Sequence, residues 1–294
     1  MTEDAPKTLL YENGVEGKIC LTNILGNLMV ETRKIRSRKR VILSVLSVIV
    51  VLGGWFVLTT VLRWVPPAFL PPPQNILTDF FRLLNKSYVG HTLIGHTLVS
   101  LQIVLGGFFL AVLIGIPLGI MMGWFKRIEA IVDPMFQLLR PIPPLAWIPL
   151  SLLWFGIGIS SKIFVIWLSA FVPCVINAYT GIRLTEPLLV KAALGLGVKR
   201  QWDLLREVAI PSALPVILGG VRIGLGSAWM TLVAAELLAS DAGLGYMMQM
   251  ARRALEPSII ILGMLIIGIL GAIMARGLQM LEKRICPWVM DKER

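Results

Sequence analysis

The stretch KAALGLGVKRQWDLLREVAIPSALP, Lys191 to Pro215, is charged where the runs on either side of it are apolar. From Arg183 to Glu207 there are five basic residues and three acids, eight charges in 25 positions. At roughly 3 kcal/mol per charge at mid-bilayer, placing them in lipid costs on the order of 24 kcal/mol. The segment therefore belongs in water. Its pattern is not that of a slack loop. Thr185, Glu186 and Pro187 make a helix start, LLVKAAL is a strong helix former, and Gly195 and Gly197 make a stop. Beyond the glycines Trp202, Leu205 and Val208 or Ala209 recur at helical spacing while Lys199, Arg200, Asp203 and Arg206 face elsewhere. That spacing predicts a second amphipathic turn before Pro211. A solvated loop has no use for Trp202, and the small side chains of Ala192 and Ala193 admit a close approach by another protein.

The rest of the chain explains why this module stands out. Of 294 residues 56% are hydrophobic and only 15% charged, with a mean hydropathy of +0.79. Such a chain is too apolar for a soluble domain of this size. Uncharged windows long enough for a ~30 Å hydrocarbon core, roughly 20 helical residues each, run from Val41 to Leu62, Thr97 to Gly123, Pro141 to Ser161, Ile163 to Ile182 and Pro257 to Ala275. A sixth, Ala213 to Leu238, is interrupted only by Arg222 and Glu236. The alternation of a membrane β-barrel is absent, so the expected fold is all-α and polytopic, with about six transmembrane helices.

Lys and Arg are retained on the cytoplasmic side of a membrane. An inside N-terminus puts nineteen of them inside, six outside, and leaves Arg140, Arg222 and Arg276 within or at the ends of spans. Both termini are thus expected in the cytoplasm. Retention charge and attraction to anionic lipid headgroups account for the net charge of +11 without nucleic acid. The run RKIRSRKR, Arg33 to Arg40, does this directly before the first span. Three scattered cysteines, Cys20, Cys174 and Cys286, make neither a disulfide framework nor a metal cluster. The long polar tail before the first span, with no small-residue cleavage site after it, marks that span as a retained anchor.

The expected organisation is a cytoplasmic tail over 1–40, either mobile or holding a short interfacial helix, and a first transmembrane helix over 41–62. A proline-rich outer segment covers 63–95, a core bundle 96–282 with its cytoplasmic loop at 183–211, and a C-terminal tail 283–294. In the outer segment PPAFLPPP forces an extended path. Gly115, Gly119 and Gly123, and again Gly220 and Gly224, lie four apart, the spacing that lets helices approach closely in lipid, either inside one subunit or between two. The third span opens RPIPPLAWIPLSLLWFGIG, in which Pro141, Pro143, Pro144 and Pro149 each remove a backbone donor. Broken backbone at membrane depth is tolerated only against protein or a water-filled cavity, so Pro143, Pro144 and the neighbouring Trp147 are candidates for lining a path.

These passages together resemble a known family. Lys191, Ala192, Ala193 and Gly197 are similar to the Glu-Ala-Ala…Gly front of the "EAA" loop in inner-membrane permease subunits of ABC importers, with Lys191 in the place of the acid. Ile210-Pro211 stands where that loop has Leu-Pro, one residue further from the glycine than usual. The phrases FLPPP, GIPLGIMMGW, RPIPPLAWIPLSLLWFGIGISSKI, GGVRIGLGSAWMTLVAAELLAS and GLGYMM resemble permeases for taurine, alkanesulfonates, nitrate and bicarbonate over roughly residues 64 to 288. The resemblance implies the type I importer permease fold and a homodimer that forms the path. It also implies two cytosolic ATPase subunits that receive the coupling helix (187–200) in a groove, and an external binding protein that delivers substrate. The residues implied in coupling are Pro187, Lys191, Ala192, Ala193, Gly197, Val198, Trp202, Asp203 and Pro211. The chain carries no Walker-A sequence, so it is expected to be non-catalytic and to hold no cofactor, ATP and Mg residing on the ATPase subunits.

Polar residues inside the spans are costly and face protein or water. Arg222 and Glu236 are 14 positions apart, about 21 Å along a helix, and so are not an ion pair with each other. Glu236 is either bonded to a neighbouring helix or backbone, or touches substrate. Arg222 either snorkels to the inner interface or helps an anion leave, and Arg140 either anchors at that interface or lines the path of an anionic solute. His91 and His96, five apart, do not share a helix face and make a poor metal site; the methionines at 121, 122, 247, 248 and 250 read as gap-filling core. The expected function is an importer permease for a small anion, a sulfonate such as taurine first, nitrate or bicarbonate next. A self-contained secondary transporter would show a second broken span matching Pro141–Ser161, and an intramembrane enzyme would show a nucleophile with its base or paired carboxylates. Neither feature is present in the sequence.

Overall fold

The computed structural model describes residue 43 and residues 46–290. The expected tail 1–40 with Cys20, the start of the expected 41–62 helix and the end of the 283–294 tail lie outside them. Among the described residues the regular structure is helical apart from one isolated bridge between Tyr88 and His91. The chain divides into two units at Pro66. The first unit's described part is α1, Leu46–Val61, whose last turn, Val57–Val61, is a π turn. Its valines and leucines are exposed, as suits a helix solvated by lipid.

The second unit holds α2 (Pro73–Asn85), α3 (Leu93–Trp124), α4 (Lys126–Leu139), α5 (Ile148–Phe155), α6 (Ile159–Arg183) and α7 (Pro187–Gly195). They are followed by α8 (Gln201–Leu238), α9 (Leu244–Arg253), α10 (Pro257–Ile285) and α11 (Pro287–Met290). Four of these, α3, α6, α8 and α10, are long and apolar enough to cross a membrane. The bent combination of α4 with Pro144–Phe155 makes a fifth crossing if counted as one. The shorter apolar α1 corresponds to the first expected span.

Small residues set how the long helices pack. A Cβ on Gly119 of α3 would stand 2.5 Å from the Val175 carbonyl oxygen of α6, and one on Gly220 of α8 would stand 2.3 Å from the Asn177 Cβ of α6. Neither position admits any other side chain, so both glycine series are used for packing within the subunit. Gly107, Gly115 and Gly123 of α3 meet Ile166, Cys174 and Ile182 of α6, eight residues on at each step, so α3 and α6 run parallel. α8 runs the opposite way, with Ala213 against Gly181 and Gly224 against Ala170. Ile103, Val104, Ile166, Leu225, Trp229 and Leu232 form the core of this three-helix layer, and α10 packs over it through Ile267, Leu270, Met274 and Leu278.

Two parallel neighbours need a return connection, and α4 with α5 supplies it. The expected span Pro141–Ser161 is not a crossing by itself: it contains a 3-10 turn, Pro144–Trp147, and the eight residues of α5. That helix is roughly 12 Å long. The other half is α4, which ascends antiparallel to α6, and the two arms meet at 84°. The cause is local: Pro143 is extended at φ −58° and ψ 134°, and Pro143 and Pro144 have no N–H to give the ladder. The bundle thus has one end with α7, Trp124 and the C-terminus of α10, and an opposite end with α2, α9 and the N-termini of α3, α6 and α10.

Candidate functional site

The bend between α4 and α5 places Arg140 at the level of the middle of α6. Arg140 lines a cleft of ≈ 280 Å³ with Phe136, Ile142, Leu168, Phe171 and Met230, and also a neighbouring cleft of ≈ 690 Å³ with Asp133, Gln137 and Tyr179. On α6 the smaller cleft is lined from Leu168 to Pro173, roughly 14 to 21 Å along a helix roughly 37 Å long, and the larger one continues from Val175 to Thr180. Arg140 is exposed and, among the described residues, no carboxylate pairs with it. In the smaller cleft it is the only charged side chain. The hydroxyls there are already engaged, Thr231 Oγ1 donating to Ser169 Oγ (2.8 Å) and Ser169 Oγ to the Ser227 carbonyl (3.2 Å). An unpaired guanidinium at this depth requires water or a mobile anion beside it. Pro143 and Pro144 form the bend itself, and Trp147 closes the 3-10 turn with its buried Nε1 unpartnered.

The α7 end is built differently. Pro187 is the first residue of α7, and Gly197 ends it at φ +95°. Val198 N–H donates to the Ala193 carbonyl and Gly197 N–H to the Leu194 carbonyl, both at 3.1 Å, the paired bonds of a Schellman cap. Lys191, Ala192, Leu188, Leu194 and Leu196 are exposed, Leu196 at 87%, while Ala193 is buried. Beside them opens a cleft of ≈ 940 Å³ lined by Leu189, Ala192, Leu196, Val208, Pro211 and Trp288 among others. Leucines thus stand exposed among charges at this end, a pattern common to surfaces that bind other proteins. Trp202, itself exposed, packs its ring 5.3 Å from that of Phe125 and so ties the start of α8 to the joint between α3 and α4. Asp203 is half-buried there. The expected amphipathic turn before Pro211 is continuous with α8: a π turn at Leu205–Ala209 carries the helix past Pro211. A π turn absorbs one extra residue in a helix, which matches the single extra residue between Gly197 and Pro211.

At the opposite end the polar groups are buried and satisfied. Glu236, 1% exposed, accepts from Ser100 Oγ and from Gly245 N–H, each at 2.7 Å, and lines neither of the clefts beside Arg140. Ser100 accepts from Leu244 N–H (2.8 Å), and His96 Nδ1 accepts from Gly243 N–H (3.1 Å). Lys162, 2% exposed, donates to Ser240 Oγ (2.6 Å) and stands 3.6 Å from Asp241. Tyr88 donates to Glu256 (2.7 Å), and burial together with that carboxylate holds its phenol above the usual range, keeping it a donor.

Comparison with known proteins decides the family. Residues 115–286 match the family described as binding-protein-dependent transport system inner membrane component. The chain belongs to this family. Among curated relatives, the taurine transport system permease protein TauC of Escherichia coli is 39% identical over 90% of this chain and 98% of its own length. The putative aliphatic sulfonates transport permease protein SsuC of Bacillus subtilis is 37% identical over 74% and 78%. The bicarbonate transport system permease protein CmpB of Synechococcus elongatus is 34% identical over 74% and 80%. The protein is accordingly a multi-pass inner-membrane permease.

In this permease the structure brings Arg140, Pro143, Pro144 and Trp147 to one broken helix, and Pro187, Lys191, Ala192, Ala193, Gly197 and Val198 to another short one. Arg222 stands apart from both clefts beside Arg140 and is paired with Glu282 of α10. Sequence reasoning missed that pair, the hold of Glu129 on Tyr179 (2.6 Å) and Arg183 (3.3 Å), and the roles of Ser100, His96 and Lys162. A signal was present for Lys162, a lysine directly preceding an apolar span. None of the described His, Cys, Asp and Glu groups forms a candidate metal cluster.

Proposed function

We propose that this permease is the membrane subunit of an ATP-driven importer for a small oxyanion, sulfonates such as taurine first. The single observation that carries the anion reading is Arg140, an unpaired guanidinium at the middle of the bundle where the backbone is broken and a cleft opens. A cation there repels cationic solutes, costs a neutral solute nothing to leave unused, and offers an oxyanion a bidentate partner. The names of the relatives support the same class. Bicarbonate or nitrate is the second reading; the CmpB relative favours bicarbonate, which offers a guanidinium the same pair of oxygens.

Two copies enclose the path, each contributing its broken helix. The α7 end lies in the cytoplasm, with both termini, and there Lys191, Ala192 and the exposed leucines of α7 seat in a cytosolic ATPase that holds ATP and Mg. Gly197 and the Phe125–Trp202 contact transmit the ATPase's closure to α8 and to the α3–α4 joint. A binding protein delivers substrate at the α9 end, and lipid covers the outer faces of α1 and α10. The test is to reconstitute the complex with its ATPase and binding protein in nanodiscs. ATPase stimulation is then measured for taurine, alkanesulfonates, nitrate, bicarbonate and the uncharged or cationic amines of equal size. Stimulation confined to solutes that carry an oxyanion group, and lowered about tenfold (roughly 1.4 kcal/mol) in R140Q while the complex still assembles, is the expected result. Equal stimulation by solutes of the same size without an oxyanion group, or an R140Q complex that behaves as wild type, overturns the reading.

A further inference from the structure

The first three backbone N–H groups around the start of α9 have no partner within their own helix, as at any helix N-terminus. Here Gly243 N–H is taken by His96 Nδ1, Leu244 N–H by Ser100 Oγ and Gly245 N–H by Glu236 Oε2. The caps come from α3 and α8, not from the segment preceding α9, so they are tertiary contacts. They exist only while α9 is seated against the bundle. Glycine is required at both ends of this contact: a Cβ on Gly243 would stand 2.3 Å from Glu236 Oε1, and one on Gly245 2.6 Å from the Glu236 Cβ. Ser100 also donates to Glu236 Oε1, so two of the three caps brace each other.

Two members of this set titrate, and they differ: each Glu236 oxygen keeps a second lone pair when the carboxyl is protonated, whereas His96 Nδ1 has one, so a single proton turns it from acceptor to donor. His96 is wholly buried, and its Nε2 lies 2.9 Å from the Tyr88 carbonyl. Because Nδ1 accepts from an N–H and Nε2 faces a carbonyl, the ring is assigned as neutral with its proton on Nε2. A second proton on Nδ1 would point at the Gly243 N–H, replacing a hydrogen bond by two opposed donors. The seated arrangement therefore binds the neutral ring and excludes the imidazolium. The titratable and charged groups around it are few. His91 stands with its ring 5.4 Å away, Tyr246 of α9 is 6.5 Å away, and Tyr88 is bonded to Glu256 before α10. Glu236 of α8 lies beyond Gly243, and Lys162 of α6 is engaged by Asp241 and Ser240 in the loop leading to α9.

We infer that His96, Ser100 and Glu236 are positioning residues that latch α9 over one end of the permease, and that acidification releases the latch through His96. That this end meets the outside medium, whose pH varies, rests on the orientation proposed above; the latch itself does not. The sign follows from the geometry: the capped state is complete when His96 is neutral, and it is lost as pH falls and the ring takes up a second proton.

The test is hydrogen–deuterium exchange at Gly243, Leu244 and Gly245 in the assembled complex in nanodiscs at about pH 7.5 and about pH 5.5, corrected for intrinsic exchange. Wild type is expected to be protected at the higher pH and to lose up to about tenfold of that protection at the lower, the limit for one excluded proton over this interval. H96Q, whose amide offers an acceptor and a donor side by side without titrating, is expected to be protected at both. S100A is expected to lose protection at both, which reports the latch even where H96Q folds poorly. Transport-coupled ATPase activity should fall with acidification in wild type and stay level in H96Q. Equal wild-type protection at the two pH values, or an H96Q profile that follows wild type, overturns the inference. Neither result bears on which anion is carried, so the latch and the substrate reading fail separately.

Discussion

The two ends of this bundle solve opposite problems. At the α9 end Lys162, Ser100, His96 and Glu236 are buried, and each has a partner inside the chain. At the α7 end Leu188, Leu194, Leu196 and Trp202 are exposed beside a ≈ 940 Å³ cleft, and Lys191, Lys199 and Arg200 are exposed with them. Burying unpaired polar groups costs several kcal/mol each, so the first end is stable only as a completed unit. Exposed leucines cost far less, so the second can wait for a partner. The difference teaches which end of this permease is complete within one chain and which leaves apolar surface open, the end proposed above to meet the ATPase.

If that contrast is right, damage at the first end should appear as instability and damage at the second as lost coupling. The largest effect is expected for Gly243→Val, where φ is +118° and the new side chain meets the Glu236 carboxylate. We expect a loss of about 3 kcal/mol, from left-handed strain plus overpacking, read as a lower melting temperature in detergent and reduced membrane yield. A variant that melts as wild type would mean that the α9 end is not the completed unit described. Next comes Gly197→Leu. A Cβ there has open space and only the φ of +95° opposes it, a strain of about 1–2 kcal/mol confined to the α7 cap. Insertion and melting should be close to wild type while uptake and ATPase stimulation are abolished; normal transport would remove α7 from the coupling role. Gly195→Ala, with open space and no positive φ, is the control and should be silent.

Between the two ends, R140Q is expected to lower uptake about tenfold, close to 1.4 kcal/mol, with no change in melting, because the side chain is unpaired in the resting bundle. R140K should keep part of the rate, since a point charge attracts an anion without the paired geometry. A fall in melting temperature in R140Q would show that Arg140 holds the helices together and does not serve the solute. The smallest effect should come from Glu282→Gln. Its pair with Arg222 is partly exposed, and such pairs contribute under about 1 kcal/mol. A large loss of stability there would mean that the α8–α10 contact is far more shielded than its exposure indicates.

How much of this was legible before the structure depended on the reach of each signal. The start and stop of α7 were plain because Pro187 and Gly197 act on their own backbone, and the Gly115–Gly123 spacing was plain because it repeats along one helix. The break at Pro143–Pro144 was visible as a loss of donors, but its consequence was not. An uncharged run from Pro141 to Ser161 looks like a full crossing, whereas the crossing is shared with α4, whose Glu129, Asp133 and Gln137 disguise it. Those groups are tolerated because Glu129 meets Tyr179 and Arg183 on α6, fifty or more residues away. Likewise, His96 and Gly243 are 147 positions apart, and no local pattern announces that the one caps the other.

Hydropathy, the retention charge and the Lys191–Pro215 module, read from the sequence alone, determined a multi-pass all-α membrane protein with one short charged helix between apolar spans, because each of those depends on residues within a few turns of one another; its motifs added the resemblance to importer permeases. Only the tertiary structure decided that Arg140 stands unpaired at mid-bundle, that Glu236 is a buried cap and does not line the clefts beside Arg140, and that Arg222 is neutralised by Glu282. The physical reason is that the cost of a charge in a membrane is set by what lies across from it, and what lies across is brought there by packing.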